Sequence, residues 1–157
     1  METTTEEPED LAARAVEEEL EKLGITADYR VSLEWESTAD LDIFLVYKYN
    51  DTRGNHKETI SYEKTTSDDG TITLDVDNRG AEHGTHVENI SFNGTQGTCV
   101  IYVNNHDSND DHNEIPFSVV TKLGEAGETF HDSWNINEMG AGEHTLGEQM
   151  MITTINL

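Results

Sequence analysis

From Tyr29 onward the chain alternates apolar and polar residues with a period of two. Val31, Leu33 and Trp35 alternate with Ser32, Glu34 and Glu36, which predicts a half-buried strand. Leu41 to Tyr49 is a nearly continuous apolar run and predicts a central strand. Further strands are predicted at Glu58–Tyr62, Thr71–Val76, Glu88–Phe92, Gly97–Val103, Ile115–Lys122, Glu128–His131 and Met150–Asn156. Polar segments separate them: a loop over Asn50–Lys57, the turn Ser67-Asp68-Asp69-Gly70, a loop over Asp77–Val87, and the turn at Asn93-Gly94. Asn104–Glu114 reads as a polar loop, and Gly140 and Gly142 mark another before the last strand. Pro116 suggests an edge or a strand start. Short strands at even spacing with Gly-rich turns predict an all-β fold. The expected architecture is an antiparallel β-sandwich, jelly-roll or Ig-like, of about eight strands.

Before Tyr29 the period is helical. Pro8, Glu9 and Asp10 suit a first turn. Leu11, Ala12, Ala15, Val16, Leu20 and Leu23 fall on one face, and Gly24 ends the helix. This divides the chain into an acidic tail plus amphipathic helix over residues 1–28 and a sandwich domain over residues 29–157. One short helix is marginal alone, so it is expected to pack on the domain rather than on a partner helix.

Composition narrows the function classes. Among 157 residues, Asp and Glu total 33 against 9 Lys and Arg, a formal charge of −24. Such a chain repels nucleic acid and anionic membrane surfaces. It also repels itself, so bound cations stabilise the compact state. No apolar run approaches a membrane span, and the acidic N-terminus is unlike a signal peptide. No membrane insertion is expected, and the location is cytoplasmic unless this is a mature or excised fragment. Cys99 is the lone cysteine and sits in an apolar run, so it reads as a small buried hydrophobe.

The chemistry concentrates in acidic residues beside apolar ones. Asp40 and Asp42 are two apart, so on an extended backbone they point the same way. Asp75 and Asp77 repeat the spacing. Carboxylates beside core residues are costly unless a cation sits among them. Hard oxygen donors of this kind suit Ca²⁺. The competing reading is turn and cap residues in a very acidic protein. The loop holding Asp107, Asn109 and Asp111 mimics the start of an EF-hand. It fails the full pattern, because His112 stands where Gly is needed and Ser118 where a bidentate Glu is needed. It is a second, weaker metal candidate, weighed against a plain solvated loop. The histidines are spread over loops without an HExxH motif and read as exposed.

The order Trp35, Asp40-Leu41-Asp42, Gly70, Leu74-Asp75-Val76-Asp77, Val87-Glu88-Asn89-Ile90 and the GTCVIYV strand from Gly97 to Val103 resembles the YfaP-like family of bacterial β-sandwich domains. The resemblance covers about residues 30–123. It implies a sandwich in which the Asp-Leu-Asp, Asp-Val-Asp and Glu-Asn segments meet at one end. The family's usual Pro before Glu-Asn is Val87 here. The helix and the tail after Gly124 lie outside the match. If the three segments meet, Asp40, Asp42, Asp75, Asp77, Glu88 and Asn89 supply an oxygen-rich calcium set.

No nucleophile elbow, P-loop or dinucleotide fingerprint is present, so the chain is not expected to be an enzyme. The leading expectation is a calcium-binding sandwich module whose ion orders loops at one end and gates a surface for a protein partner. The alternative is a structural, adhesion or assembly module whose acidity only gives solubility. A third reading, a carbohydrate-binding or carbohydrate-active domain, needs Trp134 as an exposed platform near paired carboxylates.

Overall fold

A computed structural model describes residues 8–78, 84–107, 114–136 and 149–157. Its elements run α1 (Pro8–Lys22), β1 (Tyr29–Trp35), β2 (Asp40–Asp51), β3 (Gly54–Ile60), β4 (Ile72–Val76), β5 (His86–Phe92), β6 (Thr98–Asp107), β7 (Glu114–Leu123), β8 (Ala126–Asn135) and β9 (Met150–Asn156). Two antiparallel sheets face each other. One has the order β4-β5-β1-β7-β8 and the other β3-β2-β6-β9. The predicted β-sandwich is therefore the fold.

Alternation in the strands builds the core. Val31, Leu33 and Trp35 of β1 meet Leu41, Ile43 and Leu45 of β2 and Ile101 and Val103 of β6, all essentially without solvent exposure. The Trp35 indole N–H donates to the Ala39 carbonyl at 2.8 Å, closing the link that carries the chain from one sheet to the other. Cys99 is part of this core, as its apolar setting predicts.

Helix α1 covers the outer face of the five-stranded sheet, so β1 is buried on both sides from Arg30 to Trp35. Ala12, Val16 and Leu20, spaced one turn apart, pack on Val87 and Val120. Leu11 and Leu23 were expected on the same stripe, yet each is about half exposed. It is the i, i+4, i+8 stripe of Ala12, Val16 and Leu20 that reaches the sheet. A Schellman turn ends the helix. The Gly24 N–H donates to Glu21 and the Ile25 N–H to Leu20, with Gly24 at φ 74°. Ile25 then joins Val16 and Leu20 in the small cluster under the helix. No helix among the described residues is long and apolar enough to cross a membrane.

Three polar segments depart from the predicted loops. Asn50–Lys57 is a hairpin, with Asp51 opposite Gly54 across a two-residue turn. β6 continues past Val103 through Asn104, Asn105 and His106, because β2 supplies partners as far as Asp40. β8 runs the full length of β7, from Leu123 opposite Ala126 to Glu114 opposite Asn135. Cross-strand pairing carries these polar residues, whose own β propensity is weak.

Candidate metal centre

The site forms where one sheet ends short. β3 pairs with β2 only as far as Ile60 opposite Leu45. The beginning of β2, Asp40 to Phe44, runs on past it. On the facing sheet, Glu88 sits on the core side of β5 in line with Ile90 and Phe92, and is 1% exposed. It spans the gap between the sheets. Its Oε1 accepts the Ile43 N–H at 2.8 Å, and its Oε2 accepts the Asn78 N–H at 3.3 Å. A buried carboxylate thus serves a strand edge that β3 does not reach.

Asp42 and Asp77 complete the cluster. One carboxylate oxygen from each of Asp42, Asp77 and Glu88 lies within 4.8 Å of the other two. Two oxygens on opposite sides of a calcium ion stand roughly 4.6–5.2 Å apart, so this spread fits one coordination sphere. The crowding is electrostatically unfavourable without a cation. Burial pushes the Asp42 carboxyl up to about 8, and the Asp40 and Asp77 charges push the same way. Burial raises Glu88 well above the usual range, and its hydrogen bond to Asp77 and the Asp42 charge add to that.

The cleft in front of the cluster has a volume of about 360 Å³ and is lined by Asp40, Asp42, Asp77, Tyr62 and His106. The Asp42 side chain is 6% exposed, and its Oδ2 has no hydrogen-bond partner. The His106 Nδ1 lies 3.9 Å away from it, also without one. A buried carboxyl oxygen with no hydrogen-bond partner normally indicates a missing ion or water.

The bulge in β4 decides which predicted residues meet. Leu74 is opposite Ile90, but Val76 is opposite Asn89, so Asp75 is the extra residue. Asp75 and Asp77 were expected to point the same way; the bulge separates them. Asp77 reaches Glu88, whereas Asp75 turns to the helix-side face. There it accepts from the Asn89 amide at 2.7 Å and the Ser91 hydroxyl. Asn89 is also held by Ser32, whose hydroxyl donates to its Oδ1 at 2.7 Å. Asp75 and Asn89 therefore lie across β5 from the cluster. Asp40 borders the same cleft as Asp42. Of the second loop, Asn109, Asp111 and the Asp107 side chain lie outside the described residues.

Sequence reasoning missed Tyr62 and His106. Tyr62 closes the strand predicted at Glu58–Tyr62, whereas β3 ends at Ile60. His106 lies past the strand predicted to end at Val103, and only the β2–β6 register brings it beside Asp42. Trp134 requires a correction: it is fully buried, because it lies opposite Ile115 with its ring in the core. It offers no exposed platform for a sugar.

Comparison with models of known families, with curated proteins and with solved structures finds no match to this chain.

Proposed function

We propose that this chain is a non-catalytic, calcium-binding β-sandwich module. Asp42, Asp77 and Glu88 hold the ion, and Asp40 at the rim adds a fourth carboxylate in reach of its hydration shell. The observation that carries this reading is the Asp42 Oδ2, buried among acidic neighbours and without a hydrogen-bond partner. Backbone carbonyls and water would complete the six to eight oxygens that calcium takes. Such an ion ties the start of β2 to the segment after β4, and so joins the two sheets at one end. The ordered acidic motifs also support kinship with the YfaP-like modules as part of the same proposal.

The test is a thermal melt in EDTA, in Ca²⁺ and in Mg²⁺ at matched ionic strength. Calcium at 100 times its dissociation constant adds about 2.7 kcal/mol, worth roughly 5–10 °C in a domain of this size. A rise with Ca²⁺ that is absent in Asp42→Asn supports the site. An equal rise with both ions, or one that persists in Asp42→Asn, reduces it to charge screening.

A further inference from the structure

A second acidic site lies on the opposite side of the five-stranded sheet. Helix α1 covers the part of that outer face around Val87 and Val120. Beyond the helix an open cleft of about 560 Å³ remains, within the roughly 300–1,000 Å³ that small ligands occupy. Its floor is one row across three strands: Glu34 of β1 is opposite Ser118 of β7, which is opposite His131 of β8. Glu36, Glu114 and Asp132 border it, and among the described residues no lysine or arginine does. This cleft shares no residue with the one in front of Asp42.

The deciding side chain is Glu34. It is 9% exposed and lines the cleft. No hydrogen-bond donor or cation among the described residues reaches its carboxylate. Its two row neighbours offer nothing: Val87 is apolar, and the Ser118 hydroxyl is engaged with the His131 Nδ1 at 2.7 Å. The Glu36 charge that acts on it is of like sign. A carboxylate on a side chain that is largely buried, facing the cleft with no protein partner, is costly unless a cation completes it.

We infer that this cleft binds the ammonium or guanidinium head of a small organic cation, with Glu34 as the primary acceptor and Glu36 and Glu114 at the rim. A bare metal ion suits it poorly, because among the described residues the three carboxylates that converge to ligand distance are those of the calcium cluster. Ammonium and guanidinium groups instead need a few well-spaced acceptors and room for an apolar stem. Pro116 supplies an apolar wall beside the acids. A planar guanidinium can take Glu34 in a two-point hydrogen bond. The head group can come from a free amine or from an arginine in a peptide.

The experiment is calorimetric titration of the full chain in about 0.15 M salt. Agmatine serves as the free cation and acetyl-Gly-Arg-Gly-amide as the peptide. The result expected is saturable one-site binding of at least one of them, weakened roughly tenfold or more in Glu34→Gln. Glu18→Gln and Glu21→Gln, the same charge change on exposed helix positions, retain it. Backbone NMR shifts should centre on Ser118 and His131. Binding by the peptide alone, or by agmatine alone, identifies the source. Absence of binding by both overturns the inference. So does equal weakening in Glu34→Gln and the helix variants, which would mean a diffuse counter-ion atmosphere. Glu34→Gln removes a buried charge without changing shape, so it is expected to fold.

Discussion

The Glu88 carboxylate accepts the Ile43 backbone N–H at 2.8 Å, across the gap between the two sheets. This bond gives Glu88 two separable roles, one as an acceptor for a strand edge and one as a charge in the acidic cluster. Glu88→Gln keeps an oxygen for Ile43, gives up only the longer 3.3 Å bond from Asn78, and removes a charge that burial makes costly. Glu88→Ala leaves a buried N–H without a partner, which costs about 1–3 kcal/mol. In EDTA the Gln variant should therefore be at least as stable as the parent, and the Ala variant lower than the Gln variant by about that amount. Urea melts of the three chains test the ordering, and equal stability of the Gln and Ala variants would remove the structural role. Both variants should lose the calcium response.

Asp75 provides the counter-example within the same sequence motif. It lies on the helix-side face, bound to Asn89 and Ser91. Replacing it by Ala should lower the melting temperature equally with and without calcium, by an amount matching about 1 kcal/mol per lost hydrogen bond. The calcium-induced shift itself should not change. Loss of that shift in Asp75→Ala would place Asp75 in the site after all.

Asp75 and Asp77 show how far the sequence could be read. Alternation revealed most strands, because each side of the sandwich is apolar toward the core and polar outside. The resemblance implied that the Asp-Leu-Asp, Asp-Val-Asp and Glu-Asn segments meet, and one carboxylate from each, Asp42, Asp77 and Glu88, does converge. Spacing alone could not reveal the bulge at Asp75, since a single extra residue reverses the facing of all that follows. It could not reveal His106 either, because its place depends on how far β6 is carried along β2. Trp134 was misread for a related reason. Its polar neighbours Ser133 and Asn135 suggested an exposed position, yet they alternate with it along β8, whose Trp134 faces the core.

Helix α1 contributes through one stripe. Leu20 is 1% exposed and packs at the centre of the small cluster beneath the helix. Leu20→Ala should destabilise by about 2–5 kcal/mol, whereas Leu11→Ala and Leu23→Ala should stay within about 0.5 kcal/mol. Chemical denaturation distinguishes them. Comparable losses at all three positions would mean that the exposed leucines pack against something in solution, and sedimentation would then show a larger species.

Cys99 offers an internal reporter of global opening. Burial pushes its thiol up to about 12, with the Asp69 charge acting in the same direction. The thiolate is the reactive form, so a thiol reagent should modify Cys99 only through unfolding. Labelling in EDTA should be slower once calcium is added, and it should track the melt. Fast labelling that calcium leaves unchanged would show local opening of the β6–β9 edge instead.

Glu34 sets a pH dependence separate from the metal cluster. Burial, and secondarily the Glu36 charge, raise its carboxyl from about 4.5 to about 7. The folded state therefore holds this proton more tightly than the unfolded chain does. Stability owed to that proton is complete below about pH 4.5 and is lost as pH rises toward 7. Above pH 7 the penalty is fully present. Discounted for solvent entering the cleft, it amounts to about 2 kcal/mol. The flanking groups are Val87 and Ser118 on the neighbouring strands, His131 beyond, and Glu36, Glu114 and Asp132 at the rim. Of these, His131 alone could offset the charge, and it is exposed and turned to Ser118. In EDTA, Glu34→Gln and the parent should thus be nearly equally stable near pH 4.5, and the variant should lead by about 2 kcal/mol at pH 8. Other acidic groups titrate in both chains and cancel in the difference. A difference that stays flat from pH 4.5 to 8 would mean that Glu34 titrates normally, and hence that water or a cation already reaches it.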